Sequence, residues 1–248
     1  MSRIFETPVL ISGAGPVGMT LALDLGWRGV PCMVVEQGDG AVGQPKIGHI
    51  AMRTMEFYRR WGIDRRVREC GFPPEFSLSK VVCTSLAAEP LFVEELASIR
   101  DMPKPDYTTE TKQRCPQHWL VPILQKSVAE YPSVDVRYGW KLERFEQSDD
   151  HVDAHVRIVA TGEEAVIRAK YLVACDGFGS TIRQSLDIAM HGKPTLSYSI
   201  GVMVQSKDLM RYCHYAPAER YFFVGPEGTW GNWTVIDGQG LWRLTVLG

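Results

Sequence analysis

Short apolar runs alternate with one-sided helical stripes along the first forty residues. Val9-Leu10-Ile11 is a compact apolar run, and a glycine-rich turn follows it. Val17, Leu21 and Leu25 then recur every four residues, which predicts a helix with that face inward. Pro16 suits its first turn, where the missing N–H costs nothing, and Gly26 and Gly29 end it. Cys32-Met33-Val34-Val35 predicts a second buried strand, so the chain opens as a βαβ unit. A second helix is expected over Ile50 to Trp61, with Met55, Tyr58 and Trp61 inward and Arg53, Arg59 and Arg60 outward.

Phe72-Pro73-Pro74 breaks that pattern, and residues 77 to 95 read as a hairpin. Pro103 and Pro105 mark an irregular stretch. Leu120, Val121, Leu124 and Val128 define a further helix that ends near Tyr131-Pro132. Val152, Ala154, Val156 and Ile158 alternate with polar residues, the mark of a strand with one wet face. Val166-Ile167 returns after a turn at residues 161–164, and Tyr171 to Cys175 reads as a separate, fully buried strand. The last forty residues hold 8 of the 25 aromatics and divide into three strand-like runs, a meander. There is no internal repeat and no low-complexity segment.

The predicted fold is α/β: a discontinuous Rossmann-like βαβ domain interleaved with a mostly antiparallel β domain. The boundaries expected are 1–76 with 107–186 for the first, and 77–106 with 187–248 for the second. The chain stops directly after a strand run, which suggests the N-terminal part of a longer protein.

Composition narrows the classes. The 248 residues, 45% apolar and 23% charged, suffice for a real core. Lys plus Arg is 27 and Asp plus Glu 29, a net charge of −2, without the basic excess of a nucleic-acid binder. No apolar run approaches the ~20 residues of a membrane span. The stretch from Met1 to Thr7 does not read as a secretory signal. Cys32, Cys70, Cys83, Cys115, Cys175 and Cys213 lack zinc-site or disulfide-framework spacing, so reduced thiols in a cytoplasmic protein are the simplest account. His151 and His155 share a strand face, but no Asp, Glu or Cys pattern completes a metal site.

Two motifs carry chemistry. Gly13-Ala14-Gly15-Pro16-Val17-Gly18 is a GxGxxG between strand and helix. Gly13 permits the tight turn, Gly15 lets a pyrophosphate approach the backbone, and Gly18 lets the helix lie close to the sheet. Glu36, followed by Gln37, closes the second strand 23 residues after Gly13, where an acid accepts from a ribose diol. Asp176-Gly177-Phe178-Gly179-Ser180-Thr181-Ile182-Arg183 is a DGxxSxxR after another strand. Asp176 can order water near a pyrophosphate, with Arg183 as its ion-pair partner; Ser180 also reads as an ordinary helix cap.

With both motifs the sequence resembles the class A FAD-dependent aromatic-ring monooxygenases, the group around p-hydroxybenzoate hydroxylase and phenol hydroxylase. Arg53, in the segment Pro45-Lys46-Ile47-Gly48-His49-Ile50-Ala51-Met52-Arg53-Thr54-Met55-Glu56, matches the family's arginine beside the cofactor. Gln117 falls where the family has a glutamine opening a helix near the flavin's ribityl-phosphate region. The resemblance implies FAD as cofactor and NADH or NADPH as co-substrate. It further implies hydroxylation of a phenolic ring by O2 through a flavin hydroperoxide. The aromatic meander, with Tyr221, Phe223 and Trp233, is then the candidate pocket wall, although strand aromatics are mostly core. A homodimer is a candidate assembly; neither nucleic acid nor a membrane span is expected, and no metal. The catalytic residues are not legible.

The family's third fingerprint, a Gly-Asp turn before a helix, is missing; Asp237-Gly238 has the reverse order and sits in a hairpin turn. Truncation before that motif is the expectation. The rival readings are another flavin reaction on the same fold, such as a halogenase or prenyl-lipid reductase, a plain NAD dehydrogenase, and a non-catalytic nucleotide-binding fragment. The segment Gly231-Asn232-Trp233-Thr234-Val235-Ile236 lacks the halogenase pattern, and a dehydrogenase leaves the second motif unexplained.

Overall fold

The computed structural model describes residues 3–46 and 48–248. Met1 and Ser2, of the N-terminal stretch, and Ile47, of the Arg53 segment, lie outside the described residues. The chain divides into two compact units, residues 1–43 with 118–191 and residues 44–117 with 192–248.

The first unit begins with β1 (Arg3–Ser12), α1 (Pro16–Trp27) and β2 (Cys32–Glu36). The second unit takes β3 (His49–Ile50), α2 (Met52–Arg60), α3 (Asp64–Arg68), β4 (Lys80–Cys83), β5 (Phe92–Glu94) and β6 (Gln113–Arg114). The helix α4 (Gln117–Val128) follows, and then β7 (Val134–Tyr138), β8 (Trp140–Gln147), β9 (Val152–Ile158), β10 (Glu164–Ala174) and α5 (Thr181–Ser185). The meander consists of β11 (Ser199–Gln205), β12 (Arg220–Gly225), β13 (Gly228–Val235) and β14 (Leu241–Leu247).

The sheet of the first unit has the order β7-β2-β1-β10-β9-β8. Its first four strands are parallel, and β9 and β8 add antiparallel. Leu10, Met33, Val35, Val156 and Ile167 centre its core. The second unit has a sheet of order β11-β14-β13-β12-β4-β5, antiparallel except between β12 and β4. The βαβ opening, the 77–95 hairpin and the meander are thus all present. Residues 44–76 and 107–117, which sequence reasoning grouped with the nucleotide-binding part, cluster with the second unit. A two-stranded ladder ties them together: β3 pairs with β6 antiparallel.

Two elements differ from expectation. The helix α1 forms, but its buried residues are Gly18, Met19, Ala22, Leu23 and Gly26 rather than Val17, Leu21 and Leu25. Val17 is 70% exposed. Small residues win this face because the helix lies almost on its neighbours: a Cβ on Gly26 would stand 2.9 Å from Tyr131 and Val134 side-chain atoms. Gly26 therefore packs inside the helix rather than ending it, and Gly29 alone takes the left-handed conformation (φ +72°) just past it. The strand at 171–175 is likewise not separate or fully buried. It continues β10 unbroken from Glu164, and Tyr171 is 57% exposed.

Candidate functional site

The parallel strands β1 and β10 lie side by side and end together. Cys175 N–H donates to the Ser12 carbonyl (2.8 Å), which brings the glycine turn and the Asp176 turn to one edge of the sheet. Ligands of open α/β sheets bind at such carboxyl ends.

Gly13 has φ +105°, and a Cβ there would stand 2.4 Å from the Cys175 carbonyl oxygen. The turn needs glycine for both conformation and space. At Gly15 a Cβ would meet nothing within 4 Å, so open room lies over the backbone. Gly15 is also the N-cap of α1; no side chain caps the helix and no acid sits in its first turn. The first-turn N–H groups and the positive end of the helix dipole are left without an anionic partner of their own.

Glu36 ties this loop to β2. One carboxylate oxygen accepts from Ala14 N–H (2.9 Å) and the other from Gly38 N–H (2.8 Å). Each oxygen keeps a second lone pair for a hydroxyl donor. Gln37, the next residue, is exposed.

Asp176 anchors α5. Its Oδ2 accepts from the N–H groups of Thr181 (2.9 Å) and Ile182 (3.3 Å), whereas Oδ1 is buried with no hydrogen-bond partner. Burial opposes the charge on Asp176. The Ser180 hydroxyl and the Ile182 and Thr181 N–H groups outweigh it and hold the carboxyl below its ordinary value. Gly177 supplies the positive φ (+86°) of the turn. Ser180 caps α5, its Oγ accepting from Arg183 N–H (3.0 Å). The Arg183–Asp176 ion pair expected from sequence is not formed. Helix N–H groups take Oδ2, and the Arg183 guanidinium donates instead to the Ile188 carbonyl (2.6 Å).

These features fit a dinucleotide pyrophosphate: an uncapped helix start under open space, a carboxylate at the end of β2, and an orphaned buried oxygen on Asp176. An orphaned polar atom of this kind asks for a donor from water or ligand.

In the second unit, Arg53 lies on α2, 73% exposed in its side chain, paired with Glu56 (2.7 Å) and resting over the Phe57 ring. Gln117 opens α4 and accepts from Lys46 N–H (2.8 Å), fixing the segment before β3. Tyr221, Phe223 and Trp233 are buried core residues, so these three do not form an open wall.

Sequence reasoning missed the buried pair Arg114–Glu219 in this unit. Arg114 Nη1 stands 3.2 Å from Glu219 Oε1, with side chains 4% and 5% exposed. Arg114 also donates to the Val235 carbonyl (2.8 Å), and His49 Nε2 lies 2.5 Å from the same Glu219 oxygen. Burial raises the cost of the Glu219 charge; His49 and Arg114 more than offset it and leave the carboxyl below its usual value. A period-two reading of the meander would have found the polar residues nearby: Arg220 precedes buried Tyr221, and Arg243 follows buried Trp242.

Fold and turns together define a dinucleotide-binding α/β protein with an antiparallel second unit. Residues 6–236 match the family described as FAD binding domain, and the chain belongs to it. It is 30% identical over 91% of its length to 2,4-dichlorophenol 6-monooxygenase of Cupriavidus pinatubonensis, covering 38% of that protein. It is 32% identical over 83% of its length to tetracenomycin B2 monooxygenase-dioxygenase of Streptomyces olivaceus, covering 40%. Among solved structures, the rebeccamycin biosynthetic enzyme RebC with reduced flavin superposes with a TM-score of 0.91 at 36% identity, over 98% of this chain and 46% of that one. The chain thus spans about two fifths of the length of these curated relatives. No helix among the described residues is long and apolar enough to cross a membrane.

Proposed function

We propose that this chain is the FAD-binding portion of a monooxygenase that hydroxylates a phenolic or other electron-rich aromatic substrate, with NADH or NADPH as reductant and O2 as oxygen source. The observation that carries the reading is the pairing of the two turns on adjacent parallel strands, with Asp176 Oδ1 left without a donor. FAD, when bound, supplies the redox chemistry. The chain's own residues bind and orient it. First-turn N–H groups of α1 take the pyrophosphate, and Gly15 keeps the approach open. Glu36 accepts from the ribose hydroxyls with its remaining lone pairs, and Gln37 lies beside it. Asp176 Oδ1 accepts from a water or hydroxyl near the pyrophosphate, with Gly177, Ser180 and Arg183 shaping its turn. Arg53 and Gln117 are further residues assigned to FAD in this reading. The reductant follows from stoichiometry: one oxygen atom enters the ring and the other leaves as water, which needs two electrons from outside. Six free cysteines favour a reducing, cytoplasmic setting.

The first test is to purify the chain, denature it and identify the released cofactor by chromatography and absorbance. FAD is expected. NAD would replace this reading with a dehydrogenase, and an empty, folded chain that takes up no added FAD would defeat it.

Gly15→Asp sharpens the assignment. Aspartate is a favourable N-cap and its Cβ has free space, so the melting temperature should hold or rise slightly. FAD affinity should fall by more than about 100-fold, because like charges ~4 Å apart repel by roughly 4 kcal/mol at an effective dielectric of 20. Unchanged FAD affinity would remove this loop from the site.

Arg53→Ala should weaken FAD affinity about tenfold while barely moving the melting temperature, since its partner pair is solvent-screened. A lower melting temperature with unaltered FAD binding would make Arg53 a surface-helix residue only.

A further inference from the structure

Two sulfurs meet at the end of the β3–β6 ladder. Cys70 lies just past α3, and Cys115 directly follows β6. The Cys70 Sγ donates to the Arg114 carbonyl (3.3 Å), which brings it to the backbone next to Cys115. The two side chains are also hydrogen-bonded to each other. Cys115 N–H donates to the Gly48 carbonyl (2.8 Å), one step past the ladder, and this fixes the residue in place. Gly71 takes φ +110° between Cys70 and Phe72, and the Phe72 N–H faces back to the Cys70 sulfur. Cys70 is half-buried and Cys115 fully buried.

The two thiols are not equivalent. Cys115 donates its S–H to the Cys70 sulfur, and the Phe72 N–H and the Arg114 charge add to that bond. Together they outweigh burial and hold the Cys70 thiol below its ordinary value. The same bond, with burial, pushes the Cys115 thiol well up, so Cys115 keeps its proton. Burial pushes up Cys32, Cys83, Cys175 and Cys213 as well. Cys70 is thus the one thiol of the six with thiolate character near neutral pH, and the thiolate is the nucleophile. A buried cysteine ordinarily packs as a small hydrophobe, as Cys32 does in β2. An accessible nucleophile beside a protonated partner thiol is instead the arrangement that senses oxidants.

We propose that Cys70 and Cys115 form a peroxide-responsive site, in which Cys70 is oxidised first and Cys115 resolves it to a disulfide. The Cys70 thiolate attacks one oxygen of hydrogen peroxide, and the O–O bond breaks. The departing hydroxide takes up the proton that Cys70 lost and leaves as water, and Cys70 becomes a sulfenic acid. The Cys115 sulfur then attacks the Cys70 sulfur, forming the S–S bond and breaking the S–O bond. The Cys115 proton leaves with the displaced hydroxide as a second water. In all, two thiols lose two electrons and one peroxide becomes two waters. A dithiol reductant reverses the bond by exchange. The disulfide ties the end of α3 to the residue two positions before Gln117, which opens α4. The site uses no FAD and does not rest on the monooxygenase reading.

The test is to treat the full chain with an equimolar amount of hydrogen peroxide at neutral pH. Free thiols are then blocked with N-ethylmaleimide in denaturant, and the peptides are mapped by mass spectrometry. A linked peptide joining Cys70 to Cys115 is expected, with the other cysteines still free, and dithiothreitol should restore every thiol. Cys70→Ser should slow peroxide consumption at least about fivefold and leave Cys115 reduced. Cys115→Ala should still lose its Cys70 thiol, now trapped as a sulfenic acid that dimedone labels. Thermal melts check that each variant folds, and should Cys115→Ala not fold, half-buried Cys70→Ser carries the comparison alone. No linked peptide after peroxide, a folded Cys70→Ser chain that consumes peroxide at the wild-type rate, or dimedone on another cysteine ahead of Cys70 would overturn the proposal. The FAD content of the chain bears on the proposed function alone, and the linked peptide on this inference alone.

Discussion

Gly18→Ala is expected to lower the melting temperature by roughly 6–12 °C and to abolish FAD retention in the same step. An alanine Cβ at this position would stand 1.9 Å from the Gly13 carbonyl oxygen, 3.1 Å from the Gly13 carbonyl carbon and 3.2 Å from the Cys175 Cβ. The obstacle is backbone, so no rotamer change relieves it. Gly13 cannot yield easily either: its N–H is held by the Val35 carbonyl (2.8 Å), and it already lies against the Cys175 carbonyl. Overpacking costs ~1–3 kcal/mol when side chains can adjust. A fixed carbonyl puts this case near 3 kcal/mol, even after alanine's better helix propensity. At about 2–4 °C per kcal/mol for a chain of this size, the shift follows. Gly15→Asp separates the two effects, since it loses FAD without losing the fold. Calorimetry with flavin absorbance on both variants decides: a Gly18→Ala chain that melts like wild type and keeps FAD would show that close helix packing is not the role of the third glycine.

The glycine spacing was legible because each glycine answers a backbone demand that no other residue meets. The helix stripe was not. Val17, Leu21 and Leu25 have the right period, but hydrophobicity does not encode which face has room. The small residues Gly18, Ala22 and Gly26 do, because the helix approaches its neighbours more closely than a valine or leucine face would allow. The Arg183–Asp176 pair failed for a related reason. Opposite charges seven positions apart suggest a partnership, yet the helix start between them offers the carboxylate nearer donors in its own N–H groups.

The buried cluster around Arg114 and Glu219 was the least visible part. Arg114, Glu219, Arg220 and Arg243 lie up to 129 positions apart and converge only through strand register and the β3–β6 ladder. Their local signal, a charged residue beside a buried aromatic, also marks an ordinary wet strand face. Counting aromatics drew attention to Tyr221, Phe223 and Trp233, which form core, and away from their polar neighbours.

Glu219→Gln is expected to destabilise the protein by about 3–5 kcal/mol at neutral pH, the cost of leaving one member of a buried ion pair unmatched. Arg114 would keep its bonds to the Val235 and Ile236 carbonyls but lose its only buried carboxylate among the described residues. Because the folded Glu219 carboxyl is held below its ordinary value, its stabilisation is fully present above the unfolded glutamate value of about 4.3. It is lost as pH falls through the lower folded value. Wild type should therefore lose melting temperature more steeply than the variant below about pH 5, and the gap between them should narrow there. Adding Arg114→Met removes the stranded charge, so the double variant should be more stable than Glu219→Gln alone. If Glu219→Gln costs under about 1 kcal/mol, the two carbonyls suffice to hold Arg114.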